Sequence, residues 1–526
     1  MVRIPAENEG KIISIHRSRD SIFFYPHTIS IFRITPVIKD ILTLRNNTDN
    51  KARIVNILSK KYDSKTVKKA LCELERLSRK GIFDKLGKKA FADTKKIINS
   101  KISSIDIYLS HRCNMACSYC FNKGGGFGRS FKREMMDWRT AKKALDWFIF
   151  KNKSHRDTLT VCFFGGEPLL NKDVLIKSLV YIKKNCRKIK SASRLILSTN
   201  GTLLDKETLK IISETGCQIM VSLDLNKKEH DAKRIFKDGR GTYDIILKNI
   251  KYIVKNFPEI NLLVNSTTDE DSDFSDRLGK RRLRGSGKEI KTHLNVDFGL
   301  LKKSRKAQRL YLDKFKKHIE KQYQDALSGN KVFDFIDKET FVSFNNRKNT
   351  YFNRANCGAG FTKVGISANG DIYICGLALD DEKWKIGSVF RGISKKKVDW
   401  LTRMYKKPDR LRIEYCSTCW ARATCSGICV IRREAETLKK PCVPIDLFKS
   451  SILCDITRLF LEYAVRSFAN LDLKHTLRYF SEANEGRYLS QDLTVSDKVK
   501  LSYVYKDLVN AKAEHIQFLN PLSSEA

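Results

Sequence analysis

The segment HRCNMACSYCFN sets three cysteines, Cys113, Cys117 and Cys120, at a Cys-x3-Cys-x2-Cys spacing. Thiolates so spaced on one tight loop can hold three irons of a [4Fe–4S] cluster. The fourth iron then has no protein ligand, and that vacancy is what a substrate-chelating cluster needs. Zinc would ordinarily want a fourth side chain nearby. Three other short segments are rich in small polar groups: FFGGEP (Phe163 to Pro168), STNG (Ser198 to Gly201) and SLD (Ser222 to Asp224). Gly165 and Gly166 permit close backbone approach to a ligand, and Glu167 can accept hydrogen bonds from an ammonium group. Taken alone, GGEP reads as an ordinary glycine-rich turn.

A second group of cysteines lies downstream. Cys357 is followed by Gly370 and Cys375, then by Cys416-x2-Cys419-x5-Cys425-x3-Cys429, with Cys442 and Cys454 beyond. Viewed bare, Cys-x2-Cys pairs are commonest in zinc ribbons. The chain has 15 cysteines, and its first residues, MVRIPAENEGKIISIHRS, lack the basic-then-apolar pattern of an export signal. The thiols are therefore expected to stay reduced in a soluble cytoplasmic protein, and the clustered ones to act as ligands. Cys72, Cys162, Cys186 and Cys217 stand alone in apolar or helical stretches and read as small buried hydrophobes.

The elements that must position these residues follow from periodicity. Apolar runs at 103–110, 159–164, 194–199, 218–224, 260–266 and 293–299 read as parallel strands buried on both faces. Helical periodicity fills the gaps at 140–151, 173–185, 205–214 and 242–255. Six such units predict an α/β fold built on a partial (β/α)6 TIM-type barrel over residues 103–301, with chemistry at the C-terminal strand ends. The cysteine loop, GGEP, STNG and SLD all fall at such ends, so a shared site is expected in place of four unrelated turns. Residues 12–36 read as short strands, followed by helices at 51–61 and at 65–80, the latter capped by Ser64 and stopped at Gly81. Together they make a winged-helix-like module over 1–85, joined by a Lys-rich linker at 86–102. Residues 302–355 read as a charged helical connector. Residues 356–455 show little periodicity and are expected to be organised by bound clusters, and 456–526 read as a helical tail.

At 526 residues, several domains are expected. No tract of about 18 apolar residues suggests a membrane span, so no membrane partner is expected. The balance of 101 Lys+Arg against 59 Asp+Glu gives a net charge of +42, which suits acidic partners. Its sharpest run, Lys280, Arg281, Arg282, Arg284 and Lys288 in GKRRLRGSGK, reads as a loop with few aromatics to stack on bases. Nucleic acid is therefore not the expected partner.

Residues 103 to about 300 resemble the radical S-adenosylmethionine (SAM) superfamily, whose signature is C-x3-C-x2-C with an aromatic before the third cysteine, here Tyr119. The resemblance implies that Cys113, Cys117 and Cys120 bind a [4Fe–4S] cluster whose open iron chelates SAM. It places Gly165, Gly166 and Glu167 at the methionine ammonium, Ser198, Asn200 and Ser222 near the ribose and carboxylate, and Arg234 of EHDAKR facing the carboxylate. The downstream array is similar in spacing and order to the SPASM domain, C-x(9–15)-G-x4-C, then C-x2-C-x5-C-x3-C, then a final cysteine. That implies a nearer auxiliary cluster on Cys357, Cys375 and Cys429, either with an open iron or completed by Cys442. It also implies an outer one on Cys416, Cys419 and Cys425 with Cys454, or with Cys442 in its place.

SPASM arrays accompany enzymes that modify peptides and proteins, and the N-terminal module resembles the leader-binding domain of ribosomal-peptide maturases. Such a domain adds an extended peptide as a strand to an exposed sheet edge. The implied protein is a radical SAM maturase acting on a precursor peptide. A thioether or C–C cross-link is its expected product, ahead of an epimer or a decarboxylated residue, and a flavodoxin or ferredoxin is its electron donor. Two other readings stand beside it. One is an anaerobic sulfatase-maturing enzyme, whose relatives carry Asp immediately after the cysteine of G-x4-C, where this chain has Gly376. The other is a non-catalytic, zinc-binding nucleic-acid adaptor, which leaves GGEP unexplained.

Overall fold

The computed structural model describes residues 4–15, 18–26, 30–80, 82–83, 102–120, 135–152, 159–186, 193–224, 226–274, 280–282, 289–297, 300, 303–328, 358–379, 381–406, 419–423, 452–468 and 516–518. At the N-terminus, Ile- and Phe-rich runs pair as an antiparallel sheet of β1 (Lys11–Ser14), β2 (Ser21–Tyr25) and β3 (Ser30–Ile34). Helices α1 (Pro36–Leu44), α2 (Lys51–Leu58) and α3 (Ser64–Arg79) cover one face of it. Helix α1, which begins where the expected strand run ends, was not expected. Its signal was present: Pro36 at the first helical position and Val37, Ile38, Ile41 and Leu42 on one buried side. The cap of α3 also differs from expectation. Asp63 is the capping residue, accepting from the Thr66 amide at 3.1 Å, and Ser64 begins the helix. Gly81 lies outside the described residues.

Five parallel strands alternate with helices in the next section: β4 (Ser104–Ser110), β5 (Leu159–Gly165), β6 (Ser193–Thr199), β7 (Gln218–Ser222) and β8 (Leu262–Thr268). The intervening helices are α4 (Trp138–Lys151), α5 (Lys172–Cys186), α6 (Lys206–Thr215), α7 (Lys227–Lys233) and α8 (Tyr243–Asn256). Asp137, Asp205 and Asn226 accept from the amides of Thr140, Thr208 and Glu229 at 2.7, 2.9 and 2.9 Å, which fixes where three of these helices start. On β4, Ile105, Ile107 and Leu109 join the helix-covered core with Ala141, Ala144 and Leu145. Strand alternation then turns Asp106, Tyr108 and Ser110 to the other side.

A sixth parallel strand, β10 (Glu289–Val296), pairs with β8, so the six-strand partial barrel predicted from periodicity is observed. The basic run read as a loop supplies β9 (Lys280–Arg282), antiparallel to β10. Backbone pairing at the sheet end holds three cationic residues that carry no strand-like apolar pattern. Helix α9 (Arg305–Ser328) follows.

The section expected to lack regular structure begins with four short strands, β11 (Lys363–Ile366), β12 (Asp371–Tyr373), β13 (Lys385–Ser388) and β14 (Gly392–Ile393), and a helix, α10 (Lys395–Lys406). Strands of two to four residues are too brief to show a period. They are held by pairing, because β11 lies parallel to β4 and the rest extend antiparallel from it. One eleven-stranded sheet therefore runs across the boundary drawn at 355/356, and Lys363 Nζ meets Asp106 Oδ2 at 3.0 Å on that seam. Helix α11 (Ile452–Phe468) packs along α9 through Phe315, Ile319, Tyr323, Ile456 and Tyr463. Ile516–Phe518, assigned to a helical tail by its sequence, is a strand, β15, antiparallel to β3. No helix among the described residues is long and apolar enough to cross a membrane.

Candidate active site

The loop that carries Cys113, Cys117 and Cys120 leaves the C-terminal end of β4 and is clamped on two sides. On one side the amides of Gly166 and Glu167 donate to the carbonyls of Ser110 and Arg112, both at 2.8 Å. On the other, Ala116 and Ser118 donate to Ile235 and Lys233 at 2.8 and 2.9 Å, and Met115 bridges Phe236. Met115 is 1% exposed and anchors the loop. The two glycines matter here. A Cβ at Gly166 would stand 2.5 Å from the Arg112 oxygen, and one at Gly165 would press on the Ser110 carbonyl. The close approach read from these glycines is thus, among protein atoms, to the cysteine loop itself.

All three thiols are half-buried. The Met115 amide donates to Cys113 Sγ at 3.4 Å. Burial pushes the Cys113 thiol up to about 12 and the Cys117 thiol up to about 11, the latter against the lowering influence of Arg234. Thiols this reluctant to ionise lose their protons on metal ligation, so the donor set fits a cluster whose assembly releases protons. Among the described residues no three or more His, Cys, Asp or Glu converge on a single metal ion. Thiolates on a polynuclear cluster need not converge so tightly.

Glu167 is fully buried and accepts three hydrogen bonds, from Thr199 Oγ1 at 2.6 Å, the Asn200 amide at 2.7 Å and the Leu169 amide at 3.0 Å. Burial raises its carboxyl to about 7 against those donors. Asn200 Nδ2 donates to Asn114 Oδ1 at 2.8 Å and lies 3.9 Å from Cys113 Sγ. One polar network therefore joins GGEP, STNG and the cysteine loop. Thr199, Asn114 and Thr202 belong to it and were missed, although Thr199 sits inside STNG. Ser198 and Ser222 are half-buried on one face of β6 and β7, opposite the core residues Leu197 and Val221.

A second network latches the far side of the loop. Arg234 Nε donates to Asp224 Oδ2 at 3.0 Å, and its guanidinium lies 5.0 Å from the centroid of the Tyr119 ring. The Tyr119 hydroxyl donates to the same Asp224 oxygen at 3.2 Å, and the Thr267 amide donates to the other oxygen at 2.8 Å. The Asp224 amide donates to His230 Nδ1 at 3.1 Å, so Nε2 carries the proton towards Thr242 Oγ1 at 2.9 Å. Burial raises the Tyr119 phenol far above its ordinary range. The structure thus brings Tyr119 and Arg234 together, and it adds Asp224 and His230, which the sequence reading passed over. Asp224 ends SLD, and a buried acid at a strand end was the available signal.

Of the downstream array, Cys375, Cys419 and Cys454 are described, while Cys357, Cys416, Cys425, Cys429 and Cys442 lie outside the described residues. Cys375 closes β12. The next residue, Gly376, packs so tightly on Tyr108 that a Cβ would be 2.7 Å from Tyr108 Cζ and closer still to its hydroxyl. Cys419 precedes a short turn, Trp420–Ala423, that packs on α11, and the first turn of α11 carries Cys454. Among the solitary cysteines, Cys162 and Cys217 are buried as expected. Cys72 is exposed on α3, a correction to its reading as a core residue, because it lies off the Val67–Leu71–Leu74 face. The side chain of Cys186 lies outside the described set.

A family model described as the Radical SAM superfamily matches residues 107–278, from β4 through β8. The cysteine-type anaerobic sulfatase-maturating enzyme of Clostridium novyi (strain NT) is 30% identical over 170 residues, which are 31% of this chain and 44% of that protein. The antilisterial bacteriocin subtilosin biosynthesis protein AlbA of Bacillus subtilis (strain 168) is 23% identical over 288 residues, 54% of this chain and 56% of AlbA. The chain spans about half the length of the curated relatives it matches. In fold it is similar to a solved structure of anSMEcpe with bound AdoMet, with a TM-score of 0.54 and 18% identity over 71% of this chain and 97% of that one.

Proposed function

From the premise that residues 107–278 form a radical SAM domain and that the protein is an enzyme, we propose that it reductively cleaves SAM to modify a ribosomally made peptide. The observation that carries this reading is the convergence, at one end of six parallel strands, of the cysteine loop with the Glu167–Asn200 and Asp224–Tyr119–Arg234 networks. The enzyme class leaves no place for a non-catalytic zinc adaptor. The family implies SAM and a [4Fe–4S] cluster, and the half-buried thiols fit such a group. When bound, that pair supplies a 5′-deoxyadenosyl radical able to abstract a substrate hydrogen.

In this reading Cys113, Cys117 and Cys120 hold three irons. The GGEP segment, with Glu167 held by three internal donors, meets the methionine ammonium of SAM. Ser198, Asn200 and Ser222 line the ribose and carboxylate, and Arg234 supplies a buried positive charge near the carboxylate. Two auxiliary clusters use the downstream array. The packing of the Trp420–Ala423 turn, which follows Cys419, against α11, the helix that carries Cys454, supports Cys454 as the fourth outer ligand.

The peptide substrate is supported by the N-terminal sheet-and-helix module and by the likeness to AlbA. A thioether or C–C cross-link is the proposed product. The sulfatase-maturing alternative draws support from the Clostridium novyi relative but meets a local obstacle. The acid those enzymes carry after the cysteine has no room here, since any Cβ at residue 376 collides with Tyr108. Of the two nearby acids that could stand in for it spatially, Asp381 accepts from the Lys383 amide at 3.1 Å, and Asp380 lies outside the described residues.

The test is anaerobic iron and sulfide quantitation with a SAM-cleavage assay, comparing wild type with Cys113→Ala/Cys117→Ala/Cys120→Ala. About eight to twelve irons per chain are expected, falling by about four in the triple variant with loss of 5′-deoxyadenosine. Zinc in place of iron and no deoxyadenosine under reduction would overturn the reading. Mass spectrometry of precursor peptides then separates peptide maturation from sulfatase maturation. Modification of a sulfatase-type peptide alone would favour the latter.

A further inference from the structure

Arg234 is buried, and its backbone is pinned from two sides. The carbonyls flanking it, at Lys233 and Ile235, accept from the Ser118 and Ala116 amides of the cysteine loop. Its own carbonyl turns the other way and accepts from Thr242 Oγ1 at 2.7 Å. Thr242, fully buried at the start of α8, is itself tied down. Its amide and that of Tyr243 donate to Asp231 Oδ1 at 2.8 and 2.9 Å. A Cβ at Gly241 would stand 2.4 Å from Asp231 Cγ, so a glycine there lets the carboxylate reach both amides. His230 joins the two ends of this arrangement. Its Nε2–H donates to Thr242 Oγ1, and its Nδ1 accepts from the amide of Asp224, whose carboxylate holds the Arg234 side chain. The imidazole is fully buried, and the Tyr243 ring meets it edge to face at 5.4 Å, which holds its plane. One ring thus sets the spacing between the backbone of Arg234 and the backbone of its counter-ion.

We propose that His230 is a positioning residue for SAM: through Thr242 and Asp224 it fixes where the Arg234 guanidinium stands, and hence how tightly the SAM carboxylate is held. The inference rests on the reading that Arg234 faces that carboxylate, and it adds the residue that aims it. His230 acts from behind the site, because protein groups engage both of its nitrogens. The neutral imidazole suits this task, since it presents one acceptor and one donor on a single rigid ring. The cysteine loop keeps its own bonds to Lys233 and Ile235. Loss of the imidazole tether is therefore expected to weaken SAM binding and leave iron binding intact.

The experiment measures radiolabelled SAM binding to the full, cluster-reconstituted chain by anaerobic equilibrium dialysis, alongside iron content and circular dichroism. His230→Phe keeps an aromatic ring and removes both hydrogen bonds. It should bind SAM about tenfold more weakly at unchanged iron content, as happens when a site loses an outer partner. Thr242→Val should do the same, whereas Thr242→Ser, which keeps the hydroxyl, should bind SAM as wild type does. Should His230→Phe fail to fold, the Thr242 pair still decides. In an Arg234→Gln background, which has no guanidinium left to aim, Thr242→Val should change SAM affinity by less than about twofold. SAM affinity within about twofold of wild type in the folded His230 and Thr242→Val variants overturns the proposal. So does an undiminished loss in the Arg234→Gln background, since the tether would then act on the site as a whole. Dithionite-driven SAM cleavage in the same samples keeps the two failures apart. Cleavage by wild type with unchanged affinities in the variants sinks only the role of His230, whereas no SAM binding or cleavage by wild type sinks the enzyme reading beneath it.

Discussion

Gly376 and Asp224 show how single residues constrain the site. Gly376→Ala drives a methyl group into the Tyr108 ring, and overpacking of this kind costs about 1–3 kcal/mol. A lowered thermal midpoint is expected, partly restored by Tyr108→Phe, which removes the nearest atom. Asp224 has 2% side-chain exposure and Arg234 9%, so Asp224→Asn leaves a buried guanidinium without its counter-charge. Breaking a buried pair from one side costs about 3–5 kcal/mol. Chemical denaturation should show that loss. Arg234→Lys should not restore stacking on Tyr119, because an ammonium lacks the planar fork.

Among the elements, the clamped loop and the seam between β4 and β11 matter most. Gly166→Ala pushes the β5 turn off Arg112, separating Glu167 from the cysteine loop while leaving the strand ladder below intact. Iron analysis should show a loss of about four irons per chain, with circular dichroism unchanged. At the seam, Lys363 reaches a buried Asp106 but keeps 38% of its own side chain exposed. Solvent screening limits the pair, so Lys363→Met is expected to cost only about 1–2 kcal/mol. Desolvation then leaves the Asp106 carboxyl raised with no cation to oppose it. Lys363→Met/Asp106→Asn should recover most of the loss in a double-mutant cycle.

Across the whole molecule the dominant physical fact is the net charge of +42. A field of that sign steers acidic macromolecules and is screened within about 10 Å at 0.1 M salt. If an acidic flavodoxin delivers the electron, deoxyadenosine formation should fall several-fold between roughly 0.05 and 0.3 M salt. The rate with dithionite, a small reductant whose encounter depends less on the protein field, should change far less. Equal salt sensitivity of the two rates would argue against electrostatic docking of the donor.

The sequence by itself determined the barrel and the place of its cysteine loop. Apolar runs marked β4 to β8, where burial of much of both faces leaves a near-continuous hydrophobic signal, whereas β10 exposes His293 and Asn295. The cysteine spacing was likewise legible, since three thiols on one short loop need no distant partner to come together. Tertiary structure decided what depends on residues far apart in the chain. It joined Glu167 to Thr199 and Asn200, set Asp224 beneath Tyr119 and Arg234, and put Gly376 against Tyr108. It also turned Lys280–Arg282, β11 to β14 and Ile516–Phe518 into strands. Such short segments lack a hydrophobic period of their own, and they become strands only where an edge already built by other residues supplies the hydrogen bonds.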